Sequence, residues 1–156
     1  MFEPREPSPE TPIDLLCILD HRTRRTPAVE MVSDAVVWAL NTPDARLIVV
    51  MAPQEGKSST VTRAGALYAL RQDPTRRVAI TSYADRLARR WGRTIRNGIT
   101  GNSGRGGFDF GLRLAPDQQA ADEWELTTGG GIFLAGTITA RFRNYTAGKV
   151  AHAIAA

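Results

Sequence analysis

Residues 46–59, RLIVVMAPQEGKSS, contain the stretch that decides the fold class. The first half, 46–51, is a continuous apolar run rich in β-branched side chains, which is typical of a strand buried on both faces. The second half, 52–59, is a polar loop. A helix is predicted from Lys57 to Leu70, where apolar residues recur on one face until Asp73-Pro74 ends the pattern. This stretch therefore predicts a strand–loop–helix unit.

Helices and strands also alternate on both sides of this unit. A helix is predicted from Pro27 to about Asn41, because apolar residues recur there at helical spacing. A second strand is predicted at 77–82. A helix is predicted to follow it, from Tyr83 to about Ile95. Asn97–Gly107 contains five glycines without periodicity and is predicted to be a loop. This order predicts an α/β fold with a mainly parallel sheet flanked by helices.

The later part of the chain is predicted to be rich in β-structure. Phe110, Leu112 and Leu114 alternate as in a strand. The segments Trp124–Thr127 and Ile132–Ala135 predict a β-hairpin near 123–136, because three glycines lie between them.

The two ends of the chain differ from the part between them. Residues 1–12 contain four prolines and little to bury, which predicts a disordered tail. Residues 137–156 show no clear element and are interpreted as a divergent C-terminal tail. Residues 13–136 are therefore the predicted domain.

The composition is that of one globular domain and excludes several classes of protein. The chain has 156 residues, of which 42% are hydrophobic and 23% charged. Cys17 is the only cysteine, so no internal disulfide can form and a reducing, cytoplasmic compartment is expected. No apolar run approaches the roughly 20 residues of a membrane helix, so no membrane partner is expected. His21 and His152 lie outside any ligand cluster, and no zinc site is predicted.

The positive charge is concentrated in one part of the chain. The net charge is +4, and only Lys57 and Lys149 of the 20 basic residues are not arginine. Residues 63–105 carry ten arginines against two aspartates. Arginine-rich codon usage in a GC-rich genome and a basic face for phosphates are both consistent with this pattern. Lys57 stands out because the sequence otherwise avoids lysine.

The tripeptide Gly56-Lys57-Ser58 has the chemistry of a phosphate-binding loop. Such a loop needs backbone N–H groups at a helix N-terminus, a lysine for the β- and γ-phosphates and a hydroxyl group for Mg²⁺. The full pattern also has a glycine at the position that Met51 occupies here. From the residues alone, a plain strand-to-helix turn therefore remains the alternative to nucleotide binding.

Residues 24–136 resemble the N-terminal ATPase domain of bacteriophage terminase large subunits, in the form found in phages and prophages of actinobacteria. These proteins are the DNA-packaging motors of tailed phages. The resemblance rests on four pieces in the expected order: TPAVEMVSDAVVWAL, RLIVVMAPQEGKSS as the Walker A region, RVAITSYADRLARRWGRTIRN, and LRLAPDQQAADEWELTTGGGIFLAG. Because the Walker A loop of this family is commonly rich in proline and lacks the first glycine, the resemblance removes the objection over Met51.

The resemblance implies a P-loop NTPase-like fold, ATP and Mg²⁺ as cofactors, and specific residues for the site. The loop residues would wrap the triphosphate, Lys57 would neutralise its charge, and Ser58 would ligate Mg²⁺. The segment 24–27 would lie near the adenine. The candidate phosphate-binding residues are Pro53, Gln54, Glu55, Gly56, Lys57, Ser58 and Ser59, and the candidate catalytic arginines are Arg86, Arg89, Arg90 and Arg93. The implied partners are double-stranded DNA, the small terminase subunit and the portal protein, in the cytoplasm of a bacterial host.

One part of the ATPase machinery is missing from the sequence. Hydrolysis needs an acidic residue at the end of an apolar strand, and no Asp or Glu follows Glu125. The segment 137–156 also departs from the family, and no nuclease carboxylates follow it. We therefore expect a truncated, C-terminally incomplete domain that binds ATP but hydrolyses it poorly or not at all by itself. A subunit completed by a second polypeptide is the alternative. An unpaired sheet edge would also favour self-association.

Two other functions are consistent with the residues. One is a non-enzymatic DNA-binding or regulatory fragment that uses the basic region Arg63–Arg105. The other is a different P-loop enzyme, such as a small kinase, although the sequence shows neither a catalytic acid nor a substrate lid. Trp38, Trp91 and Trp124 are interpreted as core or interface anchors, and Cys17 as a buried apolar residue.

Overall fold

The computed structural model describes residues 10–101, 108–120, 122–136 and 152–155, and these residues form an α/β fold. The helices are α1 (Pro12–Leu19), α2 (Pro27–Asn41), α3 (Gly65–Gln72) and α4 (Asp85–Thr100). A π-helical turn, Ser59–Ala64, leads into α3 without a break. The strands are β1 (Arg77–Thr81), β2 (Leu114–Gln119), β3 (Trp124–Leu126), β4 (Gly131–Gly136) and β5 (His152–Ala155).

The strands form one mixed sheet in the order β2-β3-β4-β1-β5. Strand β1 lies in its interior and pairs in parallel with β4 on one side and with β5 on the other. The pairs β2–β3 and β3–β4 are antiparallel. The α/β class is confirmed, but the prediction of a mainly parallel sheet is wrong: the sheet is mixed, because the hairpin β3–β4 and the edge strand β2 each add an antiparallel pairing to the two parallel ones.

Helix α4 packs on this sheet through small side chains. Its buried positions are Ala88, Gly92, Ile95 and Gly98. Three of these four are glycine or alanine, so the helix backbone can approach the sheet closely. Trp124 of β3 is fully buried, and its indole Nε1–H donates a hydrogen bond of 3.1 Å to the carbonyl oxygen of Gly92. The main core therefore lies between α3, α4 and the sheet.

Helix α1, for which the sequence analysis gives no prediction, is fixed by its first turn. Pro12 begins the helix after the N-cap residue Thr11. The Asp14 carboxylate accepts hydrogen bonds from the Thr11 N–H at 2.9 Å and from the Thr11 hydroxyl at 2.7 Å, and it forms an ion pair with Arg25. Burial acts to raise the pKa of Asp14, but these hydrogen bonds outweigh it and lower that pKa overall. Residues 1–9 of the predicted tail lie outside the described residues.

Several element bounds differ from the predictions. The helix predicted to end at Ile95 continues to Thr100, so Asn97–Thr100 is helical and not part of a loop. Phe110 and Leu112 are buried but precede the strand, which begins at Leu114. Residues 152–155, for which no element is predicted, form β5. The strand at 77–81 and the hairpin near 123–136 are confirmed, whereas 102–107 and 137–151 lie outside the described residues.

The largest correction concerns residues 46–51, which do not form the predicted buried strand. The segment pairs with none of the five strands of the described sheet. Ile48 and Val50 are each 87% exposed, while Leu47, Val49 and Met51 are half-buried. A β-branched run becomes a buried strand only where neighbouring strands pair with it, and no such neighbour is present among the described residues.

Candidate functional site

The loop before the helix has an unusual backbone at two positions. Gln54 has φ +67° and Gly56 has φ +81°, which places both in the left-handed region. Glycine adopts this conformation at little cost, whereas glutamine does so at a cost of about 1 kcal/mol or more. Successive backbone N–H groups in such alternating conformations can turn towards one point and form a concavity for an anion.

The helix begins at Lys57, directly after this loop. Its first intrahelical hydrogen bond runs from the Thr60 N–H to the Gly56 carbonyl oxygen at 2.9 Å, and the Thr60 hydroxyl donates to the same oxygen at 3.0 Å. The N–H groups of Lys57, Ser58 and Ser59 precede that bond, so they belong to the group of donors that a helix leaves for other acceptors. The positive end of the helix dipole lies at the same place.

The side chains of the loop leave this helix start accessible. Pro53, Gln54, Glu55 and Lys57 are exposed, and Gly56, Ser58 and Ser59 are half-buried. Within the described part of the chain, the Lys57 ammonium group makes no salt bridge. The predicted phosphate-binding residues therefore lie together at one helix N-terminus, with a free cation beside it.

The loop lies against α1 and α2. A Cβ atom added to Gly56 would be 3.7 Å from Cγ2 of Val29, in the first turn of α2. Met51, just before the loop, packs against a small core cluster formed by Ile13, Leu16, Val29 and Ala64. The start of α2 therefore lies beside the loop.

The four candidate arginines all lie exposed on α4 but fall into two groups. Arg89 pairs with Asp85 at 2.6 Å and with Asp122 at 3.8 Å. Arg86, Arg90 and Arg93 have no salt bridge among the residues that the structure describes. These three lie at i, i+4 and i+7, so they share one helix face opposite the buried one. Helix α4 also contacts the π-helical turn Ser59–Ala64.

Two polar groups near these elements are buried and lack hydrogen-bond partners within the described residues. One is the hydroxyl of Ser82, which follows the last residue of β1, and the other is Nε of Arg63 in the π-helical turn. Burial lowers the pKa of Arg63, and the charge of Asp20 opposes that shift. The sequence contains no signal for either group beyond the Ser82-Tyr83 pair in the terminase resemblance.

Two general features of the described residues bear on the kind of site. No group of three or more His, Cys, Asp or Glu side chains in the described ranges is arranged to hold a metal ion. In the same ranges, none of the helices is both long and apolar enough to cross a bilayer.

Comparison with family models, with curated proteins and with solved structures finds no match for this chain.

Proposed function

We propose that this chain binds the phosphates of ATP, together with Mg²⁺, at residues 53–59, as the ATP-binding part of a terminase-type packaging ATPase. The observation that carries the proposal is the helix start at Lys57, which follows a glycine in the left-handed conformation and where the lysine forms no salt bridge with any residue that the structure describes. Lys57 would neutralise the β- and γ-phosphates, and the Ser58 hydroxyl would ligate Mg²⁺. The N–H groups of residues 57–59 would bind the phosphate oxygens.

The position of α2 supports a site for the base as well. Gly56 lies beside Val29 in the first turn of α2, and the segment Arg24–Pro27 leads directly into that turn. The Arg25 guanidinium is held by Asp14, whereas Arg24 is exposed. The proposal therefore includes residues 24–27 as the surface against which the adenine would pack, as the terminase resemblance implies.

Replacement of Lys57 by alanine tests the proposal. We expect K57A to weaken ATP–Mg²⁺ binding by about tenfold to a hundredfold, because a charge-assisted contact to phosphate contributes about 1.5–3 kcal/mol. Isothermal titration calorimetry with ATP–Mg²⁺ and with tripolyphosphate measures the loss. Tripolyphosphate should lose about as much affinity as ATP, because Lys57 would contact phosphate and not the base.

A matched variant distinguishes this contact from a general effect of charge. Arg22 is also an exposed cation, and it lies in the turn between α1 and α2. R22A removes one positive charge and should leave the ATP affinity within about twofold of the wild-type value. Equal affinities of K57A and wild type, or equal losses in K57A and R22A, would contradict the proposal. The wild-type chain should hydrolyse ATP no faster than K57A does. Hydrolysis needs an acidic residue at the end of an apolar strand, and residues 126–156 contain no Asp or Glu.

Three arginines of α4 that form no ion pair within the described ranges favour a second candidate function, binding of double-stranded DNA. Arg86, Arg90 and Arg93 are separated by about 6 and 4.5 Å along the helix axis. Tyr83, which is 90% exposed, lies just before α4 and three residues before Arg86. We propose that this face, Arg86–Arg93, contacts the phosphate backbone, because free guanidinium groups can pair with phosphates without first breaking an ion pair.

The salt dependence of DNA affinity tests this second function. Each phosphate contact changes the slope of log K against log salt by about 0.9, so R86A/R90A/R93A should reduce the slope by about 2.7. Fluorescence anisotropy with a labelled duplex at several salt concentrations measures it. The control R89A/R113A removes two arginines that pair with aspartates, and its slope should change by less than about 1. Binding that does not depend on salt, or an equal change in both variants, would reject this function. K57A should leave DNA affinity unchanged.

A further inference from the structure

Residues 46–51 form an open apolar surface that the proposed functions do not use. The exposed residues Ile48 and Val50 alternate with the half-buried residues Leu47, Val49 and Met51. This two-residue period is that of an extended chain, with one face against the protein and the other towards solvent. The inner face is anchored, because Met51 packs against the cluster of Ile13, Leu16, Val29 and Ala64.

The backbone of this segment is open to a further strand. None of its N–H or C=O groups pairs with another segment among the described residues. The stretch 47–52 contains no charge, no proline and no glycine. A short β-branched segment with unpaired backbone groups and low charge readily adds another strand.

The charges at the two ends of the segment indicate which strand would suit it. Arg46 is exposed at its start, and Glu55 is exposed just beyond its end. When two copies of the segment lie antiparallel, Arg46 of each copy lies at the end where the other copy carries Glu55. When they lie parallel and in register, Arg46 faces Arg46, which is unfavourable. The antiparallel arrangement therefore avoids the Arg46–Arg46 contact and puts Glu55 of one copy at the same end of the ribbon as Arg46 of the other.

We propose that residues 46–51 pair antiparallel with the same residues of a second copy of this chain, with a two-fold axis at Val49. In this register Ile48 of each copy lies opposite Val50 of the other, so the four exposed apolar side chains contact one another side by side in two cross-strand pairs. Arg46 then lies opposite Ala52, and Pro53 ends the ribbon because it has no N–H to donate. Both subunits contribute the same residues to this contact. The assembly therefore stops at a dimer and does not continue as an open chain.

A charge-reversal pair tests both the surface and its register. The variants I48K/V50K and I48E/V50E each place like charges opposite one another in the paired register. We expect each variant by itself to raise the dimer dissociation constant at least about tenfold, which corresponds to about 1.4 kcal/mol. Mixing the two variants places lysine opposite glutamate and should restore the dimer. Sedimentation velocity over a range of concentrations of the full chain measures all three samples.

A matched control distinguishes pairing through this surface from nonspecific hydrophobic association. Met31 on α2 is 72% exposed and is a large apolar residue outside the segment, so M31K should dimerise as the wild type does. Because Ile48 and Val50 point to solvent, their variants should keep the far-UV circular dichroism of the wild type. Any of four results would overturn the proposal: a wild type that stays monomeric, open-ended assemblies in place of a dimer, equal loss in M31K, or no recovery on mixing.

Discussion

Replacement of Gly130 by alanine is expected to lower the free energy of unfolding by about 3 kcal/mol or more. Gly130 lies in the turn between β3 and β4, where the chain presses directly on the segment before β1. A Cβ atom there would lie 2.3 Å from the Pro74 carbonyl oxygen and 2.5 Å from that of Arg76. Both neighbours are backbone atoms, so no side-chain rotation can relieve the contact. Urea denaturation followed by far-UV circular dichroism measures the loss.

The neighbouring glycine provides the control for this prediction. Gly129 has φ +89°, and a Cβ atom at that position would meet nothing within 4 Å. G129A should therefore cost only about 1 kcal/mol, the price of a left-handed alanine. Losses in the two variants that agree within about 0.5 kcal/mol would show that the turn does not press on Pro74–Arg76. The Gly131 N–H also donates to the Arg76 carbonyl oxygen at 2.9 Å, which makes this contact the junction of the hairpin with β1.

Replacement of Trp124 by alanine is expected to cost about 3–5 kcal/mol. The side chain is fully buried between the sheet and α4, and its Nε1–H donates to the Gly92 carbonyl oxygen. The alanine variant leaves a large cavity and removes the only polar link from the β3 indole to the helix. W124F keeps most of the apolar volume and loses the hydrogen bond, so it should cost about 1–2 kcal/mol. The same denaturation experiment ranks the two variants.

Trp38 provides the contrasting case. It lies on α2 and is 53% exposed, so W38A should change the free energy of unfolding by less than about 1 kcal/mol. The sequence analysis interprets all three tryptophans as core or interface anchors. W124A tests that interpretation for a fully buried tryptophan, and W38A tests it for an exposed one. A loss in W38A as large as that in W124A would mean that Trp38 is covered by a partner in solution.

Local sequence patterns predict part of the fold. Helix α2 has its N-cap at Thr26, Pro27 at its first position and apolar residues at helical spacing. Strand β1 is a short β-branched run, and the hairpin has glycines where its turn needs them. The predicted helix is shorter than α4 because Asn97–Gly107 has five glycines and no periodicity, which indicated a loop from Asn97 onwards. Gly98 is instead buried against the sheet, where the absence of a side chain permits close packing.

The parts that depend on distant partners could not be predicted. Strand β5 is a four-residue segment with two alanines, and it pairs with β1, more than 70 residues earlier in the chain. Residues 46–51 have the composition of a buried strand, but composition does not show whether neighbouring strands exist. The parallel pairings of β1 with β4 and with β5 also join segments that are far apart in the chain.

The sequence predicts the local features of the candidate site but not those that depend on the tertiary fold. The helix start at Lys57 follows from Gly56-Lys57-Ser58, and the structure places it as predicted. The pairing of Arg89 with Asp85 could be expected from the i, i+4 spacing, whereas its contact with Asp122 depends on the tertiary fold. The left-handed conformation of Gln54 has no sequence signal, since glutamine rarely adopts it.

The π-helical turn Ser59–Ala64 connects the loop at 53–58 to α3, so the winding of its six residues sets the direction in which the loop faces. In this turn the Gly65 N–H donates to the Thr60 carbonyl oxygen, five residues back, where an α-helix would use four. If Ser59–Ala64 rewound as an α-helix, Lys57 and Ser58 would rotate by about 100° around the axis relative to α3 and advance by about 1.5 Å. The hydrogen-bond register of this one turn therefore determines which way the lysine faces, while α3 stays fixed in the core.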